Sequence, residues 1–425
     1  VAPAVLKPLT IKPLEIIKEN LPQPGAKLIP PQTKIPTIPV MVRAIPIIFH
    51  DPTKLMNNLK INHPELIPKL PEDETYKIIL HNGLVYHKFT TADTYVTPED
   101  PMMEYHSRQS VKKNVVAWGQ RKLGLALIQF LSKYLSETSV INPIVIYAGA
   151  APGENIAFVA KFFKNVIFHL YDPRDYMIDI NDPSVYLYQN NEGIKPQHRI
   201  ILHTGEQHGW FTDEIANYWK NYQATIGGVY FISDIRSTNH AVENSQQFEE
   251  GVWRDMVAQA NWVKIIKPVR SQLKFRLPYD LGVNSSIKQM FPTMKIPYLP
   301  GIIYKGIYNK PTSTESRLVT PNHKDSDYED VLYDFKEYES KMFYFNTEVK
   351  EKFQFINILD NSFNPVYPDE LLNDYNSMAE TFIWVELMKY LNIPVNLNNV
   401  KKLCDNFTKA IALDKGKSLS KLRKS

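Results

Sequence analysis

The sequence predicts an α/β fold with a mostly parallel sheet covered by helices on both faces. Three observations predict it. Short apolar runs recur at 144–146, 166–171, 200–203 and 228–232, the length and composition of strands buried on both faces. Between them lie stretches with helical spacing, such as Ile156, Val159, Ala160 and Phe163. Strands that alternate with helices pair in parallel, because each return to the sheet needs a crossover. A turn carrying Gly149 and Gly153 joins the first run to the first of these helices.

The chain has 425 residues, room for one large domain with extensions or for two or three small ones. A hydrophobic share of 44% is ordinary for a folded protein. The net charge of +4 permits contact with nucleic acid without demanding it. A single cysteine, Cys404, excludes an intramolecular disulfide framework and a cysteine-based metal cluster. A reducing compartment and no metal are therefore expected. Apolar runs stop well short of the ~18 residues of a membrane span, and prolines and a lysine stand near Val1 where a signal peptide needs an apolar core.

Taken in order, residues 1–48 are rich in proline with Ile, Leu and Val interleaved. They read as an extended arm laid over a folded surface. Residues 76–80 and 84–89 flank Asn82-Gly83 and read as a strand pair with a tight turn. Leu123, Leu127, Phe130, Leu131 and Tyr134 mark a helix that opens at Gly119-Gln120-Arg121-Lys122. Val252, Met256 and Ala260 mark a later one. Residues 272–277 and 314–319 alternate as strands, and Ala379, Ile383, Leu387 and Leu391 indicate an amphipathic helix near the end. The last residues, 415–425, form a basic tail.

Strand, glycine turn and helix make the first half of a nucleotide-binding unit. The pattern here is G-x-x-P-G over 149–153, and Pro152 stiffens it. About twenty residues on, the second run ends at Asp172, where an acid can take two ribose hydroxyls. S-adenosylmethionine, with a ribose and no phosphate, fits such a pair; an unrelated βαβ turn fits it as well. Asp234 stands at the end of the fourth run, where ligands of open α/β sheets bind. On spacing alone, Lys274 and Arg276 read as the solvent side of a strand, Glu315 and Arg317 as a surface ion pair, and Lys122 as a solvated helical residue. Together, Lys122, Asp234, Lys274 and Glu315 could make a base, because a second cation and burial can neutralise a lysine that is ordinarily charged. Such an amine can take a proton from a ribose 2′-hydroxyl.

Five collinear blocks carry a resemblance. They are Gly119-Gln120-Arg121-Lys122, the stretch from Tyr147 to Gly153, Ile232-Ser233-Asp234-Ile235-Arg236-Ser237, the stretch from Leu273 to Pro278, and the stretch from Ser313 to Leu318. The region 117–345 resembles the poxvirus-type cap-specific mRNA 2′-O-methyltransferases, which double as stimulatory subunits of poly(A) polymerase. The flanking extensions point to a relative in another large cytoplasmic DNA virus. The resemblance implies an FtsJ-like, Rossmann-like core at 107–345. Before it lie the arm and a small irregular region at 1–106, and after it a helical extension at 346–425. It implies Lys274 as general base, tuned by Lys122, Asp234 and Glu315. It implies an S-adenosylmethionine site of Gln120, Tyr147, Gly149, Ala151, Pro152, Gly153, Asp172, Arg174 and Ile235. It also implies a cap pocket with Tyr279, Asp280 and Glu339, in which aromatic stacking and acids suit a cationic methylated purine. Tyr105 is the candidate for a second stacking ring. One residue fewer separates Tyr279 from Asp280 than in the family. The implied partners are capped mRNA and a poly(A) polymerase or other viral transcription subunit, with no membrane. The implied location is the host cytoplasm, at the sites of virus assembly, and the virion. The rival expectations are an enzyme acting on uncapped RNA and a non-catalytic RNA-binding or polymerase-processivity subunit.

Overall fold

The computed structural model describes residues 78–81, 84–106, 118–238, 243–279, 282, 285–310, 312–359 and 374–412. The proline-rich arm, the Asn82-Gly83 turn, Asp280 and the basic tail lie outside the described residues. The chain forms two compact units, each discontinuous in sequence. Lys133–Tyr304 and Glu315–Tyr338 belong to the first, and the described residues of Ile29–Ser132, Lys305–Thr314 and Glu339–Ser425 belong to the second.

The first unit is mixed α/β around a central sheet. Its strands, in chain order, are β1 (Ile144–Ala148), β2 (Ile167–Tyr171), β3 (Val185–Leu187), β4 (Ile200–His203), β5 (Val229–Ser233), β6 (Ser271–Phe275), β7 (Ile302–Tyr304) and β8 (Ser316–Val319). Their order across the sheet is β7-β8-β6-β5-β1-β2-β4-β3. β1 to β6 run parallel, β8 pairs antiparallel with β6, and β7 antiparallel with β8. The mostly parallel sheet is the architecture that a Rossmann-like core requires. β1, β4 and β5 are buried residue for residue, which is why their sequences are continuously apolar rather than alternating.

Helices cover the sheet for readable reasons. Helix Asp213–Thr225 is capped by the Thr212 side chain, which accepts from the Ile215 amide. Its Trp219 is buried and donates to the Tyr171 hydroxyl at 3.1 Å. Helix Ser245–Ile266 opens with a capping box between Asn244 and Gln247. It buries Phe248, Val252, Trp253, Met256 and Val263. Its Gln259 side chain donates to the Lys274 carbonyl at 3.3 Å, so one face of β6 is covered. The expected solvent side of β6 is accordingly wrong. Lys274 keeps 11% of its side chain exposed, and Arg276 is buried.

In the second unit, strands Ile78–His81 and Leu84–Lys88 pair antiparallel, and Gln354–Ile356 pairs in parallel with Leu84–Lys88. Arg121, on helix Gly119–Tyr134, is fully buried. Its Nε donates to Glu380 Oε2 at 2.8 Å and its Nη1 to Thr408 Oγ1 at 2.8 Å. Tyr308 Oη and Trp384 Nε1 also donate to Glu380, at 2.7 and 2.9 Å. Burial pushes the Glu380 carboxyl up, but the Arg121 guanidinium and these donors more than offset it and leave it below the usual range. Helix Tyr375–Tyr390 is not the amphipathic helix expected. Every residue from Tyr375 to Thr381 is buried, the polar ones included.

Lys350 is a buried amine without a carboxylate at salt-bridge distance among the described residues. Its Nζ lies 3.4 Å from the Asn309 carbonyl and 5.7 Å from the Phe345 ring. Burial lowers its pKa to about 7; Lys122 pulls in the same direction, and Asp374 opposes. The unfolded chain then binds more protons than the folded one between about pH 7 and the ordinary lysine value near 10.5. This group therefore adds stability as pH rises through that window and withholds it below. A Lys350→Met variant should lose this gain, on the order of a few kcal/mol. The check is the difference in denaturant midpoint between the two proteins at pH 6.5 and pH 10.

Candidate functional site

Strand register brings the candidate residues of the first unit to one edge. Ala148 pairs with Tyr171 on one side and Ser233 on the other, Ser233 with Leu273, and Lys274 with Arg317. The chain therefore leaves β1 at Gly149, β2 at Asp172 and β5 at Asp234 at a common level. That is the carboxyl edge, next to the point where the connections depart in opposite directions from β1.

The turn after β1 needs both glycines. Gly149 has φ +79°, and a methyl group there would lie 2.9 Å from the Ile235 amide nitrogen. The backbone at Gly149 is thus in contact with the Asp234–Ile235 peptide. Gly153 has φ +81° and caps helix Glu154–Ala160; a methyl group there would meet Ile178 Cδ1 at 2.9 Å and Tyr176 Cδ1 at 3.1 Å. The Asp172 carboxylate accepts from the Ala151 amide at 3.1 Å, the Arg174 amide at 3.0 Å, Arg174 Nε at 2.9 Å and Arg174 Nη2 at 2.8 Å. Asp172 is buried, whereas the Arg174 side chain is 70% exposed. Arg174 therefore reaches the carboxylate from the solvent side, and a ligand donor taking its place would have to replace a two-point contact.

Beside this turn sits a four-charge cluster. Lys274 Nζ lies 3.3 Å from Asp234 Oδ1 and 3.7 Å from Glu315 Oε2. Arg317 bridges the same two acids, with Nη2 2.7 Å from Asp234 Oδ1 and Nη1 3.4 Å from Glu315 Oε1. Burial, and next the Asp234 charge, push the Tyr147 hydroxyl well above its ordinary value, so it stays a proton donor. Arg317, which spacing placed on the surface, is buried. The signal that could have found it is its two-residue step from Glu315 on one strand face.

Lys122 and Gln120 lie in the second unit, at the start of helix Gly119–Tyr134. The buried Gln120 Oε1 has no hydrogen-bond partner among the described residues. Glu339 is half-buried on helix Phe335–Tyr344. Tyr105 is exposed, with its ring edge-on to Phe343 at 5.2 Å. Tyr279, on the segment that follows β6, has its amide bound to Glu249 Oε2 at 2.8 Å and the Arg276 guanidinium 4.3 Å from its ring centre. Glu249 was not foreseen, since nothing in a helical glutamate announces a partner thirty residues away.

The turn and the strand ends beside it in the first unit form a candidate ligand site. The glycine turn lets the ligand approach the backbone, and a buried carboxylate waits at the next strand end. Asn155 Nδ2, Tyr176 Oη and Ser233 Oγ are buried with no hydrogen-bond partner among the described residues, which leaves polar atoms for a ligand to satisfy. Among the described residues no group of His, Cys, Asp and Glu could hold a metal, and no helix is long and apolar enough to cross a membrane.

Known proteins match this chain. The model of a family described as poly(A) polymerase regulatory subunit matches residues 95–412. The cap-specific mRNA (nucleoside-2′-O-)-methyltransferase of fowlpox virus (strain NVSL) is 27% identical over 239 residues, 55% of this chain and 68% of that protein. The protein of the same name from myxoma virus (strain Lausanne) is 26% identical over 273 residues, 61% of this chain and 70% of that protein.

A Gly149→Ala variant should be destabilised by about 1–3 kcal/mol, because the residue must hold a left-handed φ with its methyl against backbone. Binding of S-adenosylhomocysteine should weaken at least about tenfold, read by calorimetry. Gly153→Ala, whose methyl meets the movable ends of side chains, should cost less on both counts.

Proposed function

Since this chain belongs to the poly(A) polymerase regulatory subunit family, we propose that it is a cap-specific mRNA 2′-O-methyltransferase. It would transfer a methyl group from S-adenosylmethionine to the 2′-hydroxyl of the first transcribed nucleotide. The observation that carries this reading is an amine held between two carboxylates beside the glycine turn: Lys274, at 3.3 Å from Asp234 and 3.7 Å from Glu315.

When bound, S-adenosylmethionine supplies an electrophilic methyl group on a sulfonium. Gly149, Ala151, Pro152 and Gly153 would let the ligand lie against the backbone. Asp172 would hold the ribose diol in exchange for part of its contact with Arg174. Tyr147 and Ile235 would line the same turn, and Gln120 is assigned to the ligand by its motif alone. Lys274 would accept the 2′-hydroxyl proton as the oxygen attacks. Asp234 and Glu315 would orient that amine. Lys122 is assigned as the second amine on its motif alone. Alignment of nucleophile and methyl group supplies much of the rate. Tyr279 would stack the cap guanine; Asp280 and Glu339 are assigned to its edge by their motifs alone.

The family's description favours a second role, stimulation of poly(A) polymerase, which resides on a surface and can coexist with catalysis. That role would be read as longer tails made by a viral poly(A) polymerase when this protein is added.

A capped short RNA should take up methyl from labelled S-adenosylmethionine, and its uncapped twin should not; equal uptake by both would move the substrate to uncapped RNA. Lys274→Ala should lower methyl transfer by about 100-fold or more while S-adenosylhomocysteine affinity changes little. Asp172→Ala should weaken that affinity about tenfold or more. Turnover retained in Lys274→Ala would remove it as the base.

A further inference from the structure

We infer that Glu249 makes Tyr279 selective for a positively charged base, by neutralising the guanidinium that already lies against the tyrosine ring. This rests on the reading of Tyr279 as the residue that stacks the cap.

Arg276 is buried, and its Cζ lies 4.3 Å from the centre of the Tyr279 ring. The ring thus already carries one planar cation on its face. Glu249, also buried, binds that cation with both oxygens: Oε1 accepts from Nη2 at 3.0 Å, and Oε2 lies 3.0 Å from Nη1. The same Oε2 accepts the Tyr279 amide at 2.8 Å. One carboxylate therefore fixes both the ring's backbone and the charge against it. Nearby, Arg236 has its own counter-ion, Asp255, at 3.6 Å.

A base stacked on the opposite face, about 3.5–4 Å away, would bring its charge to roughly 8 Å from the guanidinium across a ring 4.3 Å from Cζ. Two cations on opposite faces compete for the same π density and repel in a partly buried site. With Glu249 ionised, the Arg276–Glu249 pair has no net charge, and the ring remains attractive to a cation. A neutral guanine is indifferent to that balance; a 7-methylguanine, which carries a fixed positive charge, is not. Glu249 therefore acts on discrimination between methylated and unmethylated caps, as a positioning residue that does not itself touch the base.

The test is calorimetric binding of 7-methyl-GTP and of GTP, each with S-adenosylhomocysteine binding as a check on the fold. Glu249→Gln keeps the shape and removes the charge. It should reduce the preference for 7-methyl-GTP about fivefold, the size of one partly exposed cation–π contact. Adding Arg276→Gln should restore the preference. An equal loss for both nucleotides, or no restoration in the double variant, overturns the inference. If Glu249→Gln fails to bind S-adenosylhomocysteine, Arg276→Gln alone decides: the preference should be kept or increased, and a reduced preference overturns the inference. Tyr279→Ala separates the two levels. Unchanged 7-methyl-GTP affinity in that variant sinks the stacking assignment and this inference with it. A weakened affinity, together with an unmoved preference in Glu249→Gln, sinks this inference alone.

Discussion

Two backbone hydrogen bonds at the end of β1 hold the candidate site of the first unit in register. The Asp234 amide donates to the Ala148 carbonyl at 2.9 Å, and the Gly149 amide donates to the Tyr171 carbonyl at 2.8 Å. They tie the first strand to its neighbour on each side at the same level. A slip of one residue in either pairing would turn the strand's side chains to the other face of the sheet. It would also part the glycine turn from Asp172 or from Asp234. Extending the ladder one strand further brings in Lys274, and one more brings in Arg317. The charges meet because main-chain pairing leaves them no other place.

The parallel part of this sheet was legible in the sequence because burial on both faces demands uninterrupted apolar runs. Val229–Ser233 and Ile200–His203 show that directly. β3 and β7, three residues each, were not legible; nothing so short carries a period. The misreading of β6 is more instructive. Alternation of Leu273, Phe275 and Leu277 with Lys274 and Arg276 normally marks a strand with one wet face. Here helix Ser245–Ile266 covers β6, and the polar residues are kept by partners: Asp234 and Glu315 for Lys274, Glu249 for Arg276. Position within a strand was visible, but the partner that makes burial tolerable came from distant sequence. Glu315 and Arg317 follow the same rule: the ion pair was foreseen, its burial was not.

The motif Gly119-Gln120-Arg121-Lys122 shows how adjacent residues divide their tasks. Arg121 is spent wholly within the second unit. Both its nitrogen forks are taken by Glu380 and Thr408, and the rings of Trp118 and Phe407 lie 5.2 and 5.4 Å from its Cζ. Removing Glu380 would leave the buried guanidinium as a costly uncompensated charge. The helix turn that bears Gln120 and Lys122 is thereby anchored from its middle. Sequence shows a glycine and three polar residues in a row; only packing shows that Arg121 is the fully buried one.

Asp234, Glu315, Lys274 and Arg317 sum to zero when all are ionised, and their side chains are mostly buried. A polyanion drifting past would feel almost no pull from this quartet at distances beyond a few ångströms. Capture of a nucleic acid strand would then fall to lysines and arginines elsewhere on the chain, whose excess over acids is modest. Under the proposed function, ionic strength would govern how fast such a strand arrives and would act far less on the mostly buried quartet itself.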